Sequence, residues 1–183
     1  MATLALAGWV LDIAYLKRGI PSSVAMNPAT AVCVILLAFE AMRLNTNSGH
    51  AVLYKAGQLA IIIVILASAM KLGDLVFGFS FAIDQQLFST KLDAEPDYPS
   101  RMAPSTAACF FILGWALQFL RGRSDSSALK AQLLAMGALL LALLALVGHM
   151  FDTHGMSGIE RYIPMAINTI FALLLISLSV LFT

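Results

Sequence analysis

Long runs of consecutive apolar residues, separated by short polar segments, dominate the chain. The segments LAIIIVILASAM and LLAMGALLLALLALVG are apolar at successive positions, whereas a strand of a membrane barrel would alternate in polarity. A backbone inside a bilayer must satisfy its own hydrogen bonds, so these runs predict helices. Six transmembrane helices are expected, at residues 3–16, 28–42, 57–77, 104–120, 129–151 and 163–182.

The composition favours a membrane protein over a soluble one. Hydrophobic residues make up 60% of the 183 residues and charged residues only 11%, which is too little charge to cover a water-exposed surface. Six spans of about 20 residues fit this length with short loops. The formal net charge of +1 provides no basic patch for phosphates, so nucleic acid is not an expected partner. We therefore predict a single all-α integral membrane domain over residues 1–183, with the lipid bilayer as its first partner.

Basic residues are distributed unevenly between the predicted loops. Those that follow the second and fourth runs are Arg43, Lys55, Arg121, Arg123 and Lys130. The connection after the third run is rich in acids, and the one after the fifth run has Arg161 as its basic residue. The positive-inside tendency therefore predicts that both termini are cytoplasmic. Lys17 and Arg18, after the first run, favour the opposite orientation.

The first run, residues 3–16, is short for a span. Its fourteen residues reach about 21 Å at 1.5 Å per residue, against a hydrocarbon core of about 30 Å. Either it is tilted against a partner and locally thins the bilayer, or the natural chain is longer at this end. Its basic pair follows the apolar run instead of preceding it, so it does not fit a cleaved signal peptide. We retain it as a span.

A helical pair is repeated three times along the chain. The second helices of the pairs begin PATAVCVILLAF, PSTAACFFILGW and, with three extra residues after the proline, PMAINTIFALLL. This alignment matches Thr30, Thr106 and Thr169. Proline at the start of each run, Pro28, Pro104 and Pro164, predicts three helix N-termini because the first turn has no acceptor for the missing amide hydrogen. The expected fold is three hairpins in a pseudo-threefold arrangement, at about residues 1–44, 56–120 and 128–183.

The first helices of the pairs end with AGWVLDI, LGDLVFG and VGHMFDT, which align their glycines Gly8, Gly73 and Gly148. Ionisable groups in a bilayer are costly and need a partner or a role. Because aligned helix ends should converge, we predict a ligand-binding pocket near the outer leaflet, formed by Trp9, Asp12, Asp74, His149 and Asp152. The alternative is that these side chains lie at the interface and reach water or cap helix ends.

A metal site is a weaker hypothesis for the same region. His149, Asp152 and His154 are the candidate ligands, beside two methionines, and such groups can bind copper or zinc. On one helix His149 and His154 would point 140 degrees apart at 100 degrees per residue, and the spacing fits no strong metal motif. We therefore predict no metal. His50 lies on the opposite side in the predicted topology, which disfavours a haem between two histidines. The residues specify no cofactor.

The remaining polar residues are interpreted as structural. Glu40 precedes Arg43 by three residues, so a local ion pair is expected. Cys33 and Cys109 occupy matching positions in apolar helices, where small thiols usually pack. No nucleophile with a base, phosphate loop or paired-carboxylate pattern is present in the sequence, so we expect a protein that is not an enzyme.

Several segments of the chain resemble those of a known protein family. The segments GIPSSVAMNPATAVCVILL, SRMAPSTAACFFILGWAL and ERYIPMAINTIFALLL, with the motif IDQQLF at residues 83–88, resemble the membrane-embedded N-terminal sensor region that precedes PAS, histidine kinase or diguanylate cyclase modules in bacterial signalling proteins. The resemblance extends from Gly8 onward. It implies a six-helix sensor in the bacterial inner membrane with cytoplasmic ends, acting in signal transduction.

Two functions are therefore expected. The first is a non-enzymatic sensory or ligand-binding membrane module. The alternative is an accessory structural subunit of a larger respiratory or photosynthetic membrane complex, with other membrane subunits or a second copy as partners. A transporter is less favoured because its broken helices with polar groups at mid-membrane are not evident in the sequence.

Overall fold

The fold is known from a computed structural model that describes residues 1–18, 24–46, 50–78, 101–122, 124–150 and 165–183. Within these ranges the regular structure is entirely α-helical, which confirms the predicted all-α class. Seven helices lie in the described ranges: α1 (Ala2–Leu11), α2 (Ala14–Arg18), α3 (Pro28–Asn45), α4 (Ala51–Phe77), α5 (Pro104–Leu120), α6 (Asp125–Met150) and α7 (Ile167–Leu181).

Among the described helices, α3, α4 and α6 are long and apolar enough to cross a membrane. The helices α1, α5 and α7 are apolar but shorter. Both α4 and α6 expose large aliphatic side chains along their outer faces, such as Leu59, Ile62, Leu140 and Leu144. Exposed apolar faces of this length would be unfavourable in water and suit contact with lipid. The helices are thus compatible with a membrane protein.

The helices α3, α5 and α7 pack on one another and form the centre of the bundle. Around them, α4 packs on α3 and α5, α6 packs on α5 and α7, and α1 packs on α3. The fully buried side chains of the centre include Leu37, Phe110, Leu113, Ile170 and Leu173. Burial of these side chains on three helices contributes apolar stabilisation at the centre of the bundle.

The two ends of the bundle are defined by hydrogen bonds. Trp9 Nε1 donates to Met26 O at 2.8 Å, so the end of α1 lies beside the start of α3; we call this the Trp9 end. Arg121 after α5 bonds to Glu40 in α3, and Asn45 bonds to Ser179 in α7. The last turns of α3, α5 and α7 therefore meet at the opposite end, which we call the Glu40 end.

The three central helices begin in the same way. Their N-cap residues are extended, with φ and ψ of −60° and 139° at Asn27, −64° and 142° at Ala103, and −63° and 139° at Ala166. A buried methionine precedes each cap, and a buried threonine occupies the third helical position: Met26, Met102 and Met165, then Thr30, Thr106 and Thr169. The three aligned threonines thus occupy the same position relative to the start of their helices.

The prolines mark two of the three predicted helix starts. Pro28 and Pro104 are the first residues of α3 and α5, where a missing amide hydrogen costs no helical hydrogen bond. The prediction was wrong for the third, because α7 begins at Ile167. Pro164 precedes that helix and lies outside the described residues.

The predicted first span is not one continuous helix. α1 ends at Leu11, and Asp12 takes the left-handed conformation with φ 59° and ψ 39°. Aspartate tolerates this region better than most residues. α2 then packs back on α1, and at Gly8 an added Cβ would lie 2.7 Å from Leu16 Cβ. The expectation of a single helix over residues 3–16 was therefore wrong, since the backbone turns at Asp12.

We expect Gly8→Ala to lower the free energy of unfolding by about 1–3 kcal/mol, as overpacking usually does. The matched control is Gly73→Ala, at the aligned position in α4. There an added Cβ meets nothing within 4 Å among the described residues, and alanine favours a helix over glycine by up to about 1 kcal/mol. Denaturant unfolding of both variants in detergent measures the difference. Equal stability of the two variants would contradict the close α1–α2 packing.

Candidate functional site

At the Trp9 end, the structure joins two of the predicted site residues through a lysine. Lys17 Nζ lies 2.5 Å from Asp12 Oδ1 and 4.5 Å from the centre of the Trp9 ring. Lys17 is only 5% exposed and Trp9 is fully buried. From the sequence, Lys17 is interpreted as an orientation signal and as part of the basic pair that disfavours a signal peptide, and not as a site residue. The left-handed turn at Asp12 is what brings the ammonium to both residues.

These contacts determine which groups of Trp9 and Asp12 are accessible to a ligand. The Trp9 indole N–H is bonded to Met26 O, and its ring already has a cation over it, an interaction that strengthens when it is desolvated. The Asp12 side chain is 70% exposed, so its ion pair with Lys17 is open to competition from solvent or solutes. Asp12 is therefore the accessible part of this group.

Two other predicted site residues, Asp74 and His149, lie on different helices. Asp74 is half-buried in the last turn of α4, and His149 is half-buried in the last turn of α6. Of the described helices, α4 packs mainly on α3 and α5, and α6 packs mainly on α5 and α7. Asp152 and His154 lie outside the described residues, as does the IDQQLF motif. A pocket formed by all five residues therefore stays a prediction.

The described part of the chain contains no group of three or more histidine, cysteine, aspartate or glutamate side chains placed to hold a metal ion. The candidate set of His149, Asp152 and His154 is represented there by His149 alone. The two cysteines, Cys33 and Cys109, are buried and free of disulfides.

A second polar group lies at the Glu40 end. Glu40 is fully buried on α3, and Arg43 binds both of its carboxylate oxygens, with Nε 2.7 Å from Oε2 and Nη2 2.6 Å from Oε1. The expected Glu40–Arg43 ion pair is confirmed. Arg121, which follows α5, also donates Nη1 to Oε1 at 2.5 Å. Two guanidinium groups therefore share one buried carboxylate.

The helix α4 leaves room for this carboxylate by having a glycine. A Cβ added at Gly57 would lie 1.7 Å from Glu40 Oε2 and 3.0 Å from Arg43 Nε. No side chain larger than hydrogen fits there unless the carboxylate moves. The residue that begins the third apolar run in the sequence thus has a specific packing role against α3.

Tyr54 holds the second guanidinium in place from α4. Arg121 Nη2 donates to the Tyr54 carbonyl at 3.0 Å, and its guanidinium carbon lies 4.0 Å from the ring centre. The Arg43 guanidinium carbon lies 5.3 Å from the same ring. We call Glu40, Arg43, Tyr54 and Arg121 the Glu40 cluster; it links α3, α4 and the end of α5.

An open groove of about 1180 Å³ lies next to the Glu40 cluster. Its basic side chains are Arg43, Lys55 and Arg121, and Asp125 is an acidic residue in its lining. Apolar residues, including Leu44, Leu120 and Phe182, line other parts of it. In the sequence these residues are orientation signals, and Arg43 is also the expected partner of Glu40. The sequence does not place them around one cavity, because Arg121 is 81 residues from Glu40.

Comparisons of the chain with protein-family models, with curated proteins and with solved structures find no match. The resemblance to membrane sensor regions therefore stays a prediction carried by the motifs themselves. The functional interpretation depends on the residues and contacts at the two ends of the bundle.

A double-mutant cycle at positions 40 and 57 tests the close approach of α3 and α4. We expect Gly57→Ala to destabilise the protein by about 1–3 kcal/mol or more, because the new methyl group displaces a buried, hydrogen-bonded carboxylate. In a Glu40→Ala background the same substitution should cost much less, since the space is then free. Thermal unfolding in detergent gives the coupling.

The control for this cycle is Gly137→Ala in α6, where an added Cβ meets nothing within 4 Å among the residues described. It should cost nothing in either background. A Gly57→Ala penalty that is the same with and without Glu40 would contradict the contact.

Proposed function

We propose that this chain is a non-enzymatic membrane module that binds a ligand or senses a stimulus at the Trp9 end. The observation that carries the proposal is the buried Lys17 ammonium, which is 5% exposed and contacts Trp9 and the exposed Asp12. An ionisable group in an apolar membrane bundle is costly and usually has a functional role. A structural role alone would not require a lysine whose partner carboxylate is open to solvent.

In this proposal, a ligand with a positive charge or hydrogen-bond donors binds Asp12 in place of Lys17. Asp74, His149 and Asp152 complete the site. Release of Lys17 changes the packing of α2 on α1, and the hydrogen bond from Trp9 to Met26 passes the change to the start of α3. The ligand acts only if its affinity differs between the two packings.

The proposed arrangement is six membrane helices in three hairpins, at about residues 1–44, 56–120 and 128–183, with α1 and α2 replacing a full first span. The shared start geometry of α3, α5 and α7 supports the repeat. Arg43, Lys55 and Arg121 gather at the Glu40 end. By the positive-inside tendency this favours an orientation in which the Glu40 end and the termini face the cytoplasm, in the bacterial inner membrane that the resemblance implies.

Substitutions at the Trp9 end test this function in a fusion of the chain to a diguanylate cyclase reporter. Asp12→Asn and Lys17→Gln break the ion pair, and we expect them to change the basal reporter output. Asp74→Asn and His149→Ala should shift the response to added cations by at least about threefold, if each contributes 0.7 kcal/mol or so. The probes are external acid, sodium, potassium and tetramethylammonium ions.

The matched control is Lys130→Gln, which removes an exposed charge near the Glu40 end that does not line the groove there and should leave output and response unchanged. If all four variants at the Trp9 end behave as the unmodified fusion does, the site assignment is rejected.

A second candidate function is an accessory structural subunit of a larger respiratory or photosynthetic complex. The observation in its favour is the short α1 with 10 residues, about 15 Å, beside an α3 of 18 residues, about 27 Å. The α1–α2 segment also exposes Leu11 and Tyr15. A partner subunit or a second copy could cover this flank. Purification from native membranes distinguishes the two, because a subunit would co-migrate with a large pigment or redox assembly.

A further inference from the structure

The groove at the Glu40 end combines fixed positive charge with apolar walls. Two guanidinium groups, of Arg43 and Arg121, share the single carboxylate of Glu40, so one positive charge in the cluster has no counter-charge within it. Lys55 adds a second, exposed positive charge in the same lining. The exposed carboxylate of Asp125 offsets one of these two positive charges. The side chains around the groove therefore carry a net positive charge in a mainly apolar bundle.

The guanidinium groups are held in place before any ligand arrives. The Arg121 bonds to Glu40 and to the Tyr54 carbonyl use two of its five N–H groups, and the Tyr54 ring packs at 4.0 Å from its guanidinium carbon. Arg43 likewise uses two N–H groups on Glu40. The remaining N–H groups belong to rigid, planar donors, which suit a phosphate because they can bond to two oxygens at once.

The apolar part of the lining indicates which class of molecule would carry the phosphate group. Leu120 and Phe182 lie in the same groove as Lys55 and Arg121. Its volume of about 1180 Å³ is at or above the size of typical small-molecule pockets, which is far more than an inorganic ion fills. A phosphate ester on an apolar body matches both parts of the lining.

We propose that this groove binds the phosphate group of an amphiphilic phosphate ester, with Arg121 and Lys55 at the phosphate and Leu120 and Phe182 at the apolar part. An anionic phospholipid and a soluble phosphorylated molecule share this chemistry. The site is at the opposite end of the bundle from Asp12 and Lys17, so it does not depend on the function proposed above.

The test uses the full chain, purified in a non-ionic detergent, and measures binding by native mass spectrometry and by the shift in unfolding temperature. The ligands are phosphatidylglycerol, phosphatidylcholine, glycerol 3-phosphate and inorganic phosphate. We expect phosphatidylglycerol to bind at least about tenfold more tightly than phosphatidylcholine, a difference of about 1.4 kcal/mol, because the choline group cancels the phosphate charge.

Glycerol 3-phosphate identifies the source of the ligand. If it binds as tightly as phosphatidylglycerol, the apolar lining contributes nothing, and the proposal of an amphiphilic ligand is overturned. If phosphatidylglycerol binds at least about tenfold more tightly, the apolar lining contributes and the ligand is a lipid. Equal binding of phosphatidylglycerol and phosphatidylcholine, or no binding of any phosphate ester, would overturn the proposal.

Two variants with opposite expected effects locate the site. Lys55→Gln removes an exposed cation from the lining and should weaken binding of the preferred phosphate ester about threefold to tenfold. Glu40→Gln removes the internal anion that competes for both guanidinium groups, so it should strengthen binding of the phosphate ester. Because Lys55 is exposed, its substitution leaves the packed core intact, and it decides the test even if Glu40→Gln lowers stability.

The control is Lys130→Gln, which removes the same charge near the same end of the bundle. Lys130 is exposed, lies 5.7 Å from the centre of the Phe119 ring and does not line the groove. The affinity of the Lys130→Gln variant for the phosphate ester should equal that of the unmodified chain. If Lys130→Gln and Lys55→Gln weaken binding equally, the attraction is general charge and not a site, and the proposal fails.

Discussion

The burial of the Glu40 carboxylate is the constraint on which the Glu40 end depends. A carboxylate with no exposure is stable only with compensating charge and hydrogen bonds. Arg43 supplies these from the same helix, and Arg121 supplies them from beyond α5. The helix α4 contributes a glycine that leaves space for the oxygens and a tyrosine that supports the second guanidinium. Each of these features has a physical reason only because the charge is there.

The two ends of the bundle hold their buried charges differently. At the Glu40 end one carboxylate has two guanidinium partners and is shielded by three helical segments. At the Trp9 end the buried Lys17 is paired with Asp12, whose side chain is 70% exposed. An ion pair with one solvated member is weaker and easier to exchange. The Glu40 end therefore has the more fixed geometry, and the Trp9 end is the more suitable place for a change in packing.

The helices α3 and α5 begin with similar local geometry, and α3 carries a buried charge further along. Counted ten residues from the aligned threonines Thr30 and Thr106, Glu40 in α3 corresponds to Ala116 in α5, and both are fully buried. An alanine at that position needs no partner. The glutamate needs the two arginines, and their charge is what makes the neighbouring groove basic. The presence of Glu40 where α5 has Ala116 thus gives this end of the bundle its chemistry.

The amino-acid sequence by itself determined the helical class, most helix positions and the local pair of Glu40 and Arg43, because apolar runs, helix-starting prolines and a spacing of three residues are local signals. The tertiary structure alone decided the rest. The bond from Arg121 to Glu40 spans 81 residues, and the gap that Gly57 leaves is defined only by the helix opposite. The turn at Asp12, which divides the predicted first span, depends on α2 packing against Gly8. Such contacts follow from which helices become neighbours, and that is set by packing over the whole bundle rather than by any short segment.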